Sequence, residues 1–175
     1  MISEKMQAAF NDQINKELYS EYLYLSMAAY FDSLGLKGFA NWMRVQVKEE
    51  RTHAMMMYTY VNDAGGRVLL KPIEGPPTQW DSPLKAFEHV LEHEKLVTSS
   101  IYQLLNLAME EKDHASVAFL QWFVTEQVEE EANATEIIHE LRLIGDHGQG
   151  LLMKDRELAQ RVFTLPPEAA NAGVI

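Results

Sequence analysis

Residues 49–54 read EERTHA and residues 126–131 read EQVEEE, two stretches that share one pattern of polar side chains at an offset of 77 positions. In the first, Glu50 and His53 stand one helical turn apart, so a carboxylate and an imidazole share a face. In the second, the same places hold Gln127 and Glu130, and Glu49 is matched by Glu126. The offset extends outward to Glu17, which recurs as Glu94. Around each polar position the apolar residues fall at helical spacing. Phe10, Ile14, Glu17, Glu21, Tyr24, Ala28 and Phe31 form one such stripe. Phe39, Met43, Gln46, Glu50, His53, Met57 and Tyr60 form the next. Leu84 to Leu105, through Glu94 and Thr98, and Phe119 to Leu141, through Gln127 and Glu130, give two more. Each stripe is apolar at its ends and polar in its middle.

The stripes predict four long helices, over about 4–33, 36–64, 82–111 and 113–144. Ser3 and the pair Ser82-Pro83 supply start signals, and Gly35 and Gly65-Gly66 supply stops. A short fifth helix is expected over about 151–163, followed by a tail, 166–175, expected to fray. Short connections make helices one and two, and helices three and four, antiparallel hairpins. Between the hairpins, Arg67 to Asp81 is rich in Pro and Gly. Extended, such a segment reaches about 50 Å, and a long helix here spans about 45 Å. It can therefore travel the length of a bundle, which makes helices two and three parallel and relates the hairpins by a pseudo-two-fold axis. The expected fold is an all-α four-helix bundle with a long crossover. The fifth helix has no evident groove in its own chain and is expected to pack against other copies.

At 175 residues the chain suits a single domain, expected over 1–165. A formal net charge of −11 excludes a basic nucleic-acid surface and suits one that collects cations. The absence of cysteine excludes disulfides, thiolate metal sites and cysteine nucleophiles. Neither a secretory h-region nor a membrane-length apolar run is present, so a cytoplasmic location without membrane contact is expected.

Helix midpoints coincide whichever way each helix points. Glu17, Glu50, His53, Glu94, Gln127 and Glu130 should therefore meet at one level of the bundle. Several carboxylates buried together need something cationic, and two metal ions meet that need. A lone Glu-x-x-His is common on solvated helix faces, and Glu49, Glu126 and Glu129 taken singly read as such a face. The shared level and the repeat are what turn the set into a dinuclear site with the ligand pattern of carboxylate-bridged di-iron bundles. Oxygen donors with imidazole suit iron, and less selectively manganese or zinc.

The motifs NKELYSEYLYLSMA around Glu17, EERTHA, EHEKLV around Glu94 and EQVEEE resemble those of prokaryotic non-haem ferritins, and the likeness runs end to end. The resemblance implies a ferritin-like shell of 24 subunits that oxidises Fe(II) with dioxygen or peroxide and stores ferric mineral. It implies that Glu17, Glu50 and His53 hold one iron. Glu50 would bridge to a second, held by Glu94 and Glu130 with Gln127 close by. It also implies a third iron site at Glu49, Glu126 and Glu129, sharing Glu130, with Tyr24 and Trp122 beside the centre as electron donors. Haem is not expected. Haem-binding bacterioferritins carry Glu-x-x-His on both hairpins and a Met after the first Glu, where this chain has Gln127-x-x-Glu130 and Arg51. Two other classes remain in view: a di-iron oxidase or peroxidase with another substrate, and a non-catalytic helical bundle. A rubrerythrin-like peroxidase would need cysteine-ligated iron.

Overall fold

The computed structural model describes residues 1–173. Helix α1 spans Glu4–Ser33, α2 Lys37–Asp63, α3 Pro83–Glu110, α4 His114–Ile144 and α5 Gly148–Leu158. The four long helices match the expected ranges closely. Side chains set three of their starts. Ser3 accepts from the Met6 amide, Ser82 from the Lys85 amide and Asp113 from the Ser116 amide, each at 3.1 Å.

α1 packs against α2, α3 against α4, and α1 also meets α3. The crossover runs the length of α1, as its contacts show in order. The Arg67 amide donates to Gln7, the Arg67 carbonyl accepts from Asn11, Lys71 pairs with Asp12, the Pro77 carbonyl accepts from Ser26, and Trp80 lies against Tyr30. α3 thus begins at the end of the bundle where α1 finishes and α2 begins, which makes α2 and α3 parallel.

The core is split in two. One apolar cluster gathers Phe31, Phe39, Met43, Phe87, Ile138 and their neighbours at one end. The other gathers Phe10, Met57, Ile101, Leu120 and Phe123 at the opposite end. The polar midpoints lie between them. Burying a large apolar side chain stabilises by roughly 1.5–3 kcal/mol. The two clusters can therefore hold the bundle together despite a charged waist.

α5 departs from expectation. It starts at Gly148 and ends at Leu158, not near residue 163, and it has a groove in its own chain. α2 lacks a capping side chain at Leu36. Asp155 of α5 supplies one, its Oδ1 accepting from the Gly38 and Phe39 amides at 2.7 and 3.1 Å. Gly38 is needed for that approach, because a Cβ there would fall 1.5 Å from the Asp155 carbonyl oxygen. Leu158 is buried in the first apolar cluster. The Asn41 side-chain amide then donates to the carbonyls of Leu158 and Arg161, at 3.2 and 3.0 Å, and draws the chain out of its helix. Gly145, with φ at +54°, makes the turn that sends α5 back onto α2.

The chain after α5 lies along the bundle. Ala169 and Ala172, in and after a short 3-10 turn at Pro167–Ala169, are buried against the second cluster, and Thr59 donates to the Ala172 carbonyl at 3.1 Å. Within the tail expected to fray over 166–175, Ala169 and Ala172 are thus seated on the bundle, while most residues around them are exposed. Residues 174 and 175 lie outside the described residues.

Candidate metal centre

Glu17, Glu50, His53, Glu94, Gln127 and Glu130 are each between 1 % and 4 % exposed. They meet at one level, contributed by all four long helices. Glu17, Glu50 and His53 offer one ligand atom each within 4.8 Å of one another, and so do His53, Glu126 and Glu130. The His53 ring lies between these two groups, its Nδ1 3.6 Å from Glu50 and its Nε2 4.0 Å from Glu126.

Amides and a phenol steady the carboxylates. Gln13 donates to Glu17 at 2.8 Å, and Gln46 to Glu130 at 3.0 Å. Tyr24 donates to one oxygen of Glu94, and Gln127 donates to the other at 3.1 Å. Glu94 belongs to neither close group, being held by these two donors. The Trp122 ring stands edge-on to His53 with centroids 5.5 Å apart. One oxygen each of Glu17 and Glu50 is buried without a hydrogen-bond partner. Two orphaned carboxylate oxygens side by side are costly in an apolar bundle and suit a divalent cation.

Burial pushes the Glu17 carboxyl up. It pushes Glu50 and Glu130 well above the usual range, with the Glu94 charge as the next cause for both. Burial is also the first cause that raises Glu94 to about 7. The same burial lowers His53 to about 4, so its imidazole is neutral and fit to ligate. A pH dependence follows. Carboxyls whose folded values lie above 4.5 stabilise the fold while protonated, and that contribution is lost as pH rises through the folded values. The lowered imidazoles of His53 and His93 act oppositely, but only below their ordinary 6.5. Between about pH 6.5 and pH 8 the carboxyls act alone. The melting temperature of metal-free protein should therefore fall across that window, and saturating Zn(II) should flatten or reverse the slope. A metal-free melting temperature that rises there would contradict this balance.

Beside the centre, a cavity of about 310 Å³ is lined by Glu49, His53, Glu126 and Glu129 and by the segment after α5. Burial is the first cause raising Glu126 to about 7, followed by the charges of Glu129, Glu49 and Glu168. Glu129 is exposed, and Glu49 is paired with Arg161 at 2.8 Å. Neither joins the close groups of ligand atoms. Glu21, on the sequence stripe beside Glu17, turns away from the centre and pairs with Arg51 at 2.8 Å. The position where bacterioferritins keep a haem-binding Met is thus occupied by an ion-paired arginine.

Three neighbours escaped the sequence reading. Gln13 lies four residues before Glu17 on the same helix face, a signal that was available. His93 is buried with its ring near Tyr19 and Tyr24, and its Nε2 is 2.7 Å from the Ser20 hydroxyl. Only packing reveals this. Arg161 is placed by the segment after α5, where a continuing helix was expected.

The profile of the ferritin-like domain matches residues 7–144. A bacterial non-heme ferritin of Bacteroides fragilis is 46 % identical over 161 residues, covering 92 % of this chain and all of the relative. One from Staphylococcus epidermidis is 41 % identical over 163 residues, covering 93 % of this chain and 98 % of its own. Among solved structures, an open-pore ferritin from the hyperthermophilic archaeon Archaeoglobus fulgidus is 60 % identical, with a TM-score of 0.92 over 93 % of this chain and 99 % of its own. A closed form of that ferritin, engineered by site-directed mutagenesis, is 61 % identical with a TM-score of 0.93, covering 94 % and 100 %. With these identities over nearly its whole length, the chain belongs to the ferritin family, alongside the bacterial non-heme ferritins.

Proposed function

We propose that this ferritin oxidises Fe(II) at the buried waist and stores the product as ferric mineral inside a shell of 24 copies. Iron is the substrate and cargo. Glu17, Glu50 and His53 take one ferrous ion, Glu50 bridges to a second, and Glu94 and Glu130 complete the second with Gln127 beside it. Two ferrous ions give one electron each, dioxygen takes both electrons with two protons, and hydrogen peroxide leaves. Holding both ions in place removes the entropic cost of bringing them together and avoids one-electron release of superoxide. Tyr24, hydrogen-bonded to Glu94, and Trp122, beside His53, give one electron each when the peroxide, taking two further protons, is reduced on to two waters. Glu49, Glu126 and Glu129, sharing Glu130, form a third iron site toward the cavity. The observation that carries this reading is the pair of orphaned carboxylate oxygens beside a neutral, buried imidazole.

An oxidase for an organic substrate fits less well. A cavity of about 570 Å³ lies between α1, α3 and the crossover and is lined by none of the proposed ligands. The cavity that does reach His53 carries three carboxylates, Glu49, Glu126 and Glu129, on its wall, which favour cations over an organic substrate. No helix among the described residues is long and apolar enough to cross a membrane. Oxygen uptake tests the proposal. Fe(II) added to the metal-free assembly should consume about one dioxygen per two irons, with a break near two irons per subunit. Oxidation no faster than in protein-free buffer would overturn it.

A further inference from the structure

Arg161 is the single arginine or lysine among the described residues lining the cavity beside the third site. Its guanidinium is held from more than one side. Nη2 donates to Glu49 at 2.8 Å, Nη1 donates to the Trp42 carbonyl at 3.3 Å, and the guanidinium carbon sits 4.5 Å above the Trp42 ring. The Asn41 amide grips the Arg161 carbonyl at 3.0 Å. The Trp42 and Asn41 contacts do not depend on Glu49, so Arg161 keeps its place whether or not Glu49 is engaged. Glu49, like the exposed Glu129, is meanwhile missing from the close group formed by His53, Glu126 and Glu130, and of the two it is Glu49 that the arginine holds.

We propose that Arg161 is a resident counter-cation of the third site: its guanidinium holds Glu49 out of the ligand set, and an arriving divalent ion must displace it. This rests on the reading of Glu49, Glu126, Glu129 and Glu130 as that site. Two consequences follow from charge and geometry. The third site binds divalent metal more weakly than its carboxylates alone would, because a charge-assisted hydrogen bond must be exchanged and a fixed cation stands nearby. The ion also leaves readily, because Arg161, still seated on Trp42, recovers Glu49 as the metal departs. The site is thereby tuned for brief occupancy beside the dinuclear centre.

The test is calorimetric titration of the intact metal-free assembly with Zn(II), which carries no redox chemistry. Arg161→Gln keeps a donor for the Trp42 carbonyl and removes the charge. It should tighten the weakest of three binding events by about tenfold or more while leaving the two tighter events unchanged. Arg161→Lys, which keeps the charge, should stay within a few-fold of the wild type. The double variant Glu126→Ala, Glu129→Ala should lose the weakest event. If that event is lost in the double variant but is unchanged or weakened in Arg161→Gln, the role given to Arg161 is wrong and the third site stands. If the event survives in the double variant, the third-site reading itself fails, and this inference with it.

Discussion

Replacing Glu50 with Ala is expected to slow Fe(II) oxidation by about a hundredfold or more, because both irons lose a shared ligand. The metal-free fold should not suffer in proportion. Glu50 carries a buried oxygen without a partner, and burial with neighbouring negative charge pushes its carboxyl well above the usual carboxylate range. Removing such a group relieves a desolvation cost, although Ala leaves a hole. Glu50→Gln preserves the shape and can donate to Glu17. It should melt at or above the wild-type metal-free temperature at pH 8 while losing the fast phase of oxygen uptake. Stopped-flow oxidation at wild-type rates in either variant would contradict the bridging role. A large drop in the metal-free melting temperature of Glu50→Gln would instead contradict the desolvation cost assigned to Glu50.

Deleting the chain after Gly145 is expected to lower the melting temperature of the subunit itself by at least about 10 °C. The sequence alone suggests that this segment serves contacts between copies. The structure gives it intrachain work. Asp155 caps α2, Leu158 fills the first apolar cluster, and Ala169 and Ala172 close the second. Loss of the cap alone, in Asp155→Ala, should cost about 1–2 kcal/mol, and Asp155→Asn should recover most of it. Thermal melts followed by helical circular dichroism, at a protein concentration where assembly is monitored, check both. A truncated chain melting within two or three degrees of the full one would show that α5 docks mainly on other copies.

The bundle was legible because its signals are local and redundant. Helical spacing, the Ser3 and Ser82 start signals and the glycine stops all agree, so the four long helices lie within a residue or two of their expected ranges. The six buried polar residues of the waist are legible because the pseudo-two-fold repeat writes their positions twice. What remained hidden depends on contacts distant in sequence. α2 begins without a cap of its own, and nothing local announces that Asp155, more than a hundred residues later, provides it. The end of α5 is set by Asn41 taking carbonyls that a helix would otherwise use. Glu21 fits the stripe beside Glu17, yet Arg51 across the hairpin holds it away. Likewise, Glu49 and Glu126 occupy matching places in the repeat, but only Glu49 meets an arginine. Spacing can place a carboxylate on a helix face, but its partner is chosen by packing.

On the proposed function, the buried carboxylates at the waist hold two irons together. Crystals grown metal-free and soaked anaerobically in Fe(II), with diffraction recorded on both sides of the iron absorption edge, test it most directly. Two strong anomalous peaks per subunit are expected on either side of Glu50, one also bounded by Glu17 and His53, the other by Glu94 and Glu130. A weaker third peak should lie beside Glu126. Peaks confined to the shell surface, with none at the waist, would contradict it.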